Sequence, residues 1–143
     1  MRTLIICQNG NFSRDLAPHA ISDMLAAPDT VIWLDIQSPS DDDIRLLREE
    51  FGFHPLAIED ATRAHERPKV DAYEHAVLQH PLGPEEDSTP QAEVSAPPGR
   101  HAYYFIVVYE ARFDPAQDHV MTEPINLFVG QNYLVTVHQG DIK

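Results

Sequence analysis

The chain has 143 residues, 43% of them hydrophobic, which is enough for one domain with an ordinary core and argues against wholesale disorder. Its 23 acidic and 10 basic residues give a formal net charge of −13, which disfavours nucleic acid and anionic lipid as partners. The single cysteine, Cys7, rules out an internal disulfide and a multi-cysteine zinc site.

The first third of the chain predicts a strand, a helix and a second strand. Residues 3–7 form a short apolar run, and residues 15–27 have apolar positions at helical spacing that end before Pro28. Residues 31–36 are β-branched and aromatic, which is typical of a strand in a buried sheet.

Two short helices are predicted next from their end signals. Ser40 can cap the first helix, and the acidic residues at 41–43 complement its positive end, which explains them better than a metal site does. Gly52 is placed to end this helix in a left-handed conformation, with Phe53 packing back. The second helix begins at Pro55 and must finish before residue 67, because Pro68 disfavours helical geometry in the residue before it.

The second half of the chain predicts mainly strands. Residues 69–73 look extended, with 76–78 as a continuation, and residues 81–100 form a proline-rich, acidic segment that we interpret as a mobile insertion. Three further strands are predicted at the end of the chain, the last two joined by a hairpin turn at 130–132: 103–112, 124–129 and 133–138. The pattern indicates one α/β domain over 1–143, with a mixed parallel/antiparallel sheet covered by helices on at least one face.

An acidic pair lies in the second of these helices. Glu59 and Asp60 are adjacent, so on a helix their side chains diverge by about 100° and do not readily chelate one bare ion from a single chain. Hard cations such as Mg²⁺ often bind through one or two carboxylates plus water, and His65 could border such a site. The structural alternative is that Glu59 pairs with Arg63 four residues later and that Asp60 is solvated.

Several segments together resemble a known family. The run Phe-Gly-Phe-His-Pro-Leu-Ala-Ile-Glu-Asp at 51–60 is followed by Arg-Pro-Lys-Val at 67–70, with Trp-Leu-Asp at 33–35 upstream and Asn-Tyr-Leu-Val-Thr-Val-His at 132–138 downstream. This order resembles the cytoplasmic N-terminal domain of the CorA family of divalent-cation transporters, over roughly residues 31–138. The resemblance implies a layered α/β fold in a domain that performs no catalysis.

The resemblance also implies a role for the acidic pair. In that family the matching pair contributes to regulatory divalent-cation sites between neighbouring subunits of a homo-pentamer, and bound Mg²⁺ favours the closed channel. Glu59 and Asp60 match the pair, and His65 matches a flanking histidine of some members. The other carboxylates come from stalk helices that these 143 residues do not contain, so weak Mg²⁺ binding is expected here, with Co²⁺ or Zn²⁺ as alternatives. The remaining partners are then the stalk and the transmembrane part at the cytoplasmic face of the inner or plasma membrane.

Other functions stay open at this point. One alternative is the same domain in a zinc-transporting relative, and another is a free-standing soluble α/β interaction module or an unrecognised hydrolase. The chain has no Gly-rich phosphate loop, no His-Glu-x-x-His and no Gly-x-Ser-x-Gly, and it has no signal peptide or membrane span. Three other residues are expected to have structural roles: Trp33 in the core or an interface, His138 at a strand end, and Lys69 paired with a carboxylate.

Overall fold

The computed structural model describes residues 1–14, 17–63, 67–73 and 102–141, and contains seven strands and three α-helices. The strands are Arg2–Gln8 (β1), Asn11–Ser13 (β2), Thr30–Gln37 (β3), Lys69–Tyr73 (β4), Tyr103–Asp114 (β5), His119–Val129 (β6) and Tyr133–His138 (β7). The α-helices are Ile21–Ala26 (α1), Asp41–Glu49 (α2) and Pro55–Thr62 (α3), and a 3₁₀ turn at Pro18–Ala20 precedes α1.

All seven strands belong to one mixed sheet. Their order is β2-β1-β3-β7-β6-β5-β4, and every neighbouring pair is antiparallel except the central pair β3 and β7. The predicted α/β class with a mixed sheet is therefore confirmed. Within the described residues, no helix is long and apolar enough to cross a membrane.

One face of the sheet is buried beneath the three helices. Alternate residues of the central strands point toward them, so that Ile32, Leu34 and Ile36 of β3 are fully buried and lie beside buried residues of β7. The other alternate residues form a second face, which no helix covers within the described ranges and on which Val31 and Trp33 are exposed. Trp33 is 45% exposed, so a core position for this side chain was wrong.

An aromatic cluster joins the helices to the sheet. Phe53 stacks on Phe128 of β6 with ring centroids 4.2 Å apart, and its ring also contacts Tyr103 and Tyr133. Gly52, with φ of +67°, turns the chain after α2 so that Phe53 enters this cluster, as the sequence predicts. Gly130 serves the same core because a Cβ there would lie 2.2 Å from the ring of Tyr133.

Two predicted boundaries were wrong. The helix expected over 15–27 consists of the 3₁₀ turn followed by α1, because Pro18 interrupts the helical pattern, while residues 15–16 lie outside the described residues. Strand β6 begins at His119 rather than at residue 124, because its first half pairs only with β5 and extends beyond β7 as a two-stranded ribbon. Pro124 marks the point where β6 has a single neighbour, a position that tolerates proline. The segments 76–78 and 81–100 lie outside the described residues.

The predicted cap at Ser40 is confirmed as a full capping box. The Ser40 hydroxyl accepts a hydrogen bond from the backbone N–H of Asp43 at 3.3 Å, and the Ser40 N–H donates to the Asp43 carboxylate at 2.9 Å. Asp43 is buried and also accepts a hydrogen bond from Arg2 Nε at 2.6 Å, so this carboxylate ties α2 to β1. The acidic start of α2 is therefore structural.

Replacing Ser40 with alanine tests the capping box. We expect Ser40→Ala to lower the free energy of unfolding by about 1 kcal/mol, because the first turn of α2 loses its side-chain acceptor. Urea denaturation followed by circular dichroism measures the change. Ser22→Ala is the control, because the exposed Ser22 bonds Glu50 through its backbone N–H. Equal losses in the two variants would contradict the prediction.

The charge of Asp43 predicts a pH dependence of stability. Burial raises the pKa of this carboxyl, but hydrogen bonds from Ser40 and Arg2 outweigh burial and hold the pKa below its ordinary value of 3.8. A carboxyl with a lowered pKa stabilises the fold fully above pH 3.8, and the contribution is lost as the pH falls through the lowered value. We therefore expect urea midpoints to fall more between pH 6 and pH 3 in the parent than in Asp43→Asn. Asp42→Asn should behave like the parent, because Asp42 is exposed.

Candidate functional site

Helix α3 carries the predicted site, and its two ends are set by local signals. His54 caps the start through Nδ1, which accepts a hydrogen bond from the N–H of Leu56 at 3.1 Å, and Pro55 occupies the first turn. The helix ends at Thr62, and Arg63 is extended with a ψ of 156°. The predicted start at Pro55 and the end before residue 67 are both confirmed.

One side of α3 is anchored in the core. Ala57, Ile58 and Ala61 are buried, and the amide of Asn126 in β6 donates a hydrogen bond to the carbonyl of Ala61 at 3.2 Å. The same amide donates to the carbonyl of Val137 at 3.2 Å, so one buried side chain connects α3, β6 and β7. Sequence reasoning missed Asn126. The one feature that could have identified it is an amide at a core-facing position of a strand.

Glu59 lies on the outward side of α3 and pairs with Arg63. The two side chains form an ion pair one helical turn apart, with the Arg63 side chain 67% and the Glu59 side chain 44% exposed. This geometry is the structural alternative that the four-residue spacing predicts. An exposed pair of this kind contributes little to stability, so the Glu59 carboxylate can exchange partners at small cost.

Asp60 faces a different cation. Its Oδ2 accepts a hydrogen bond from Lys69 Nζ at 2.5 Å, and the same ammonium group lies 2.8 Å from Oδ2 of Asp71. The hydrogen bonds to Asp60 and then to Asp71 raise the pKa of Lys69 above its ordinary value, against the lowering effect of burial. Lys69 is the first residue of β4, and its ammonium also lies 5.2 Å from the centre of the Phe105 ring. The expected pairing of Lys69 with carboxylates is confirmed.

The structure thus keeps the two predicted carboxylates apart. Glu59 and Asp60 contact different cations on different sides of α3, as adjacent residues of a helix must. His65 lies outside the described residues. Within the described part of the chain, no group of three or more His, Cys, Asp or Glu side chains is arranged to hold a metal ion. The described residues therefore present Asp60 and Glu59 as two separate carboxylates, and their role as metal ligands stays a prediction.

A second polar group lies on the uncovered face of the sheet, where β3 and β7 run in parallel. The hydroxyl of Thr136 donates to Asp35, and the indole N–H of Trp33 donates to Thr136 Oγ1 at 3.3 Å. His138 is buried, with Nδ1 2.5 Å from the carbonyl oxygen of Gly140 and Nε2 3.3 Å from Asp35. Because these contacts join the central strands, His138 has the structural role that its position predicts.

The cap of α3 depends on a buried phenol. The hydroxyl oxygen of Tyr103 accepts a hydrogen bond from the backbone N–H of His54 at 2.8 Å. Burial raises the pKa of Tyr103 to about 12, and the hydrogen bond from His54 only partly opposes this shift. Tyr103 therefore connects the aromatic cluster to the helix that carries the acidic pair.

Comparisons with known proteins relate the chain to metal-ion transporters. A family model described as CorA-like Mg²⁺ transporter protein matches residues 28–94. YfjQ of Bacillus subtilis, named as a candidate metal ion transporter, is 41% identical over 68 residues, which are 43% of this chain and 21% of that protein. The magnesium transporter ALR1 of Saccharomyces cerevisiae is 27% identical over 112 residues, which are 77% of this chain and 10% of that protein.

Two solved structures share the fold. The full-length CmaX protein superposes with a TM-score of 0.61 at 13% identity, over 99% of this chain and 35% of that chain. The CorA magnesium transporter of Methanocaldococcus jannaschii gives a TM-score of 0.55 at 17% identity, over 98% of this chain and 33% of that chain. The chain therefore spans about a third of each solved structure and a smaller part of the curated relatives.

The buried phenol of Tyr103 gives a testable prediction. We expect Tyr103→Phe to lower the free energy of unfolding by about 1–3 kcal/mol at neutral pH, because the N–H of His54 loses its acceptor. The parent should also lose stability as the pH rises from 10 toward about 12, because the folded state disfavours the ionised phenol. Urea denaturation of both proteins between pH 7 and pH 11 measures the two effects. A steeper alkaline loss in Tyr103→Phe than in the parent would contradict the assignment.

Proposed function

The chain carries a domain of the CorA-like Mg²⁺ transporter protein family, and from that premise we propose that it is the cytoplasmic, metal-sensing part of a longer ion transporter. The family consists of ion transporters rather than enzymes. In this proposal the domain binds Mg²⁺ on the cytoplasmic side of the membrane and transmits the bound state to the pore of the same protein. It does not itself conduct the ion.

The arrangement of the acidic pair on α3 supports this proposal best. Asp60 and Glu59 are held at the surface by a helix whose opposite side is fixed in the core. Carboxylate oxygens are the donors that Mg²⁺ prefers, and Mg²⁺ commonly keeps several waters while one or two carboxylates bind it. The ammonium of Lys69 against Asp60 indicates that this position accommodates a positive charge. Asp60, Glu59 and His65, which follows Asp60 by five residues in the sequence, are the residues that we assign to the ion.

The proposed sensing mechanism uses an interface between subunits. Because Asp60 and Glu59 diverge, each one can face a carboxylate from a neighbouring subunit of a homo-pentamer or from its stalk. Without metal, these carboxylates repel each other, and a bound Mg²⁺ bridges them and favours the closed arrangement. An ion can shift this balance only by the difference between its affinities for the two arrangements. The net charge of −13 per chain strengthens the repulsion that the ion relieves.

Asp60→Asn in the full-length transporter tests the proposed function. Asparagine keeps the size of the side chain and removes its charge, so the neighbouring subunits should require more Mg²⁺ to close. We expect the Mg²⁺ concentration for half-maximal closure to rise by at least about fivefold, the lower end of common allosteric couplings. Flux into vesicles at graded internal Mg²⁺ measures it. Asp42→Asn is the control, because Asp42 is an exposed carboxylate paired with Arg45 on a different helix. Closure at the parental Mg²⁺ concentration in Asp60→Asn would sink the proposal.

A further inference from the structure

We propose that Lys69 is a tethered counter-ion that competes with the divalent cation for Asp60 and thereby sets the concentration at which the cation binds. This inference rests on the proposed function, because it assumes that Asp60 is the ligand. It adds a regulatory residue that is not itself a ligand. The sensing site would then contain its own cation in the metal-free state.

The position of Lys69 supports this role. Its ammonium lies between two carboxylates, 2.5 Å from Asp60 Oδ2 and 2.8 Å from Asp71 Oδ2. Asp60 lies on α3 and Asp71 on β4, so the ammonium joins a helix to the edge strand of the sheet. The ammonium is in direct contact with Asp60 Oδ2. A divalent ion that takes the same position on this oxygen therefore displaces the ammonium.

The backbone of Lys69 is held in place, whereas its side chain can move. The backbone is fixed, because Lys69 pairs with Val107 in the antiparallel ladder between β4 and β5. The side chain is 32% exposed, and its flexible four-carbon stem can move the ammonium into solvent without moving β4. Displacement of the ammonium is therefore a local event. Because the backbone stays in place, the ammonium can return to Asp60 when the divalent ion leaves.

The expected strength of the competition is modest. Partly exposed ion pairs each change an equilibrium by a factor of about 1.4 to 5, and Lys69 makes two such pairs. Removal of the ammonium should therefore raise the affinity for a divalent ion by about two- to 25-fold, the product of the two factors. With the ammonium present, the site would respond at a higher ion concentration. The oxygens that coordinate the bound ion would stay the same.

The test compares two variants that differ in charge at one position. Lys69→Met removes the ammonium and keeps an unbranched side chain of similar length, whereas Lys69→Arg keeps the positive charge. Mn²⁺ is titrated into the 143-residue chain in 150 mM salt, and electron paramagnetic resonance measures the free ion. Line broadening of backbone amide signals at residues 58–62 locates the bound Mn²⁺. Lys69→Gln replaces Lys69→Met if the latter does not fold.

We expect Lys69→Met to bind Mn²⁺ about two- to 25-fold more tightly than the parent, with Lys69→Arg close to the parent. The gain should disappear in Asp60→Asn/Lys69→Met, because it acts through Asp60. Equal Mn²⁺ affinities of Lys69→Met and Lys69→Arg would overturn the proposal, as would a gain that survives in the double variant. The titration does not depend on transport. A gain in Mn²⁺ affinity together with unchanged gating of Asp60→Asn would refute the proposed function and leave the counter-ion role in place.

Discussion

The packing of Phe53 against the sheet is the interaction on which the rest of the structure depends. Its ring stacks on Phe128 and contacts Tyr103 and Tyr133, so the connection between α2 and α3 is fixed to β5, β6 and β7 at once. A helix of eight residues such as α3 is not stable alone in water, and its direction is therefore set by this contact and by the buried side of the helix. The packing of the core therefore sets the position of the surface that carries the acidic pair.

Charge has two separate roles in this acidic chain. At the start of α2, the carboxylate of Asp43 is buried and is satisfied by the capping box and by Arg2, so its charge stabilises the fold. At the end of α3, the carboxylates of Glu59 and Asp60 are at least partly exposed and contact long, flexible cationic side chains. Pairs of the second kind are weak in water, and their carboxylates remain exchangeable. Exchangeable carboxylates suit an ion sensor, whereas the buried one does not.

The sequence predicts the helix ends and turns that a few neighbouring residues determine. Ser40, Gly52 and Pro55 act through their own backbone geometry, so the ends of α2 and α3 and the turn into Phe53 follow from neighbouring residues alone. The family resemblance also rests on a contiguous motif, but its assignment of the acidic pair as ligands stays a prediction.

Contacts between distant residues were not predicted in their detail. The partner of Lys69 was expected to be a carboxylate, but that it is Asp60 depends on how α3 packs beside β4. Asp35 and His138 are 103 residues apart, and only the parallel pairing of β3 and β7 brings them together. The length of β6 depends on its partner β5, because its exposed half has no strong apolar pattern of its own.

In a single chain, a divalent ion bound at Asp60 as we propose would gain one carboxylate and disrupt the ion pairs of Lys69, so the net gain in free energy would be small. Oxygen donors from outside the chain would shift that balance, which makes binding sensitive to how the neighbouring parts are placed. Under the proposed function, the ion pair of Lys69 therefore favours a site that responds to assembly over one that binds its ion alone.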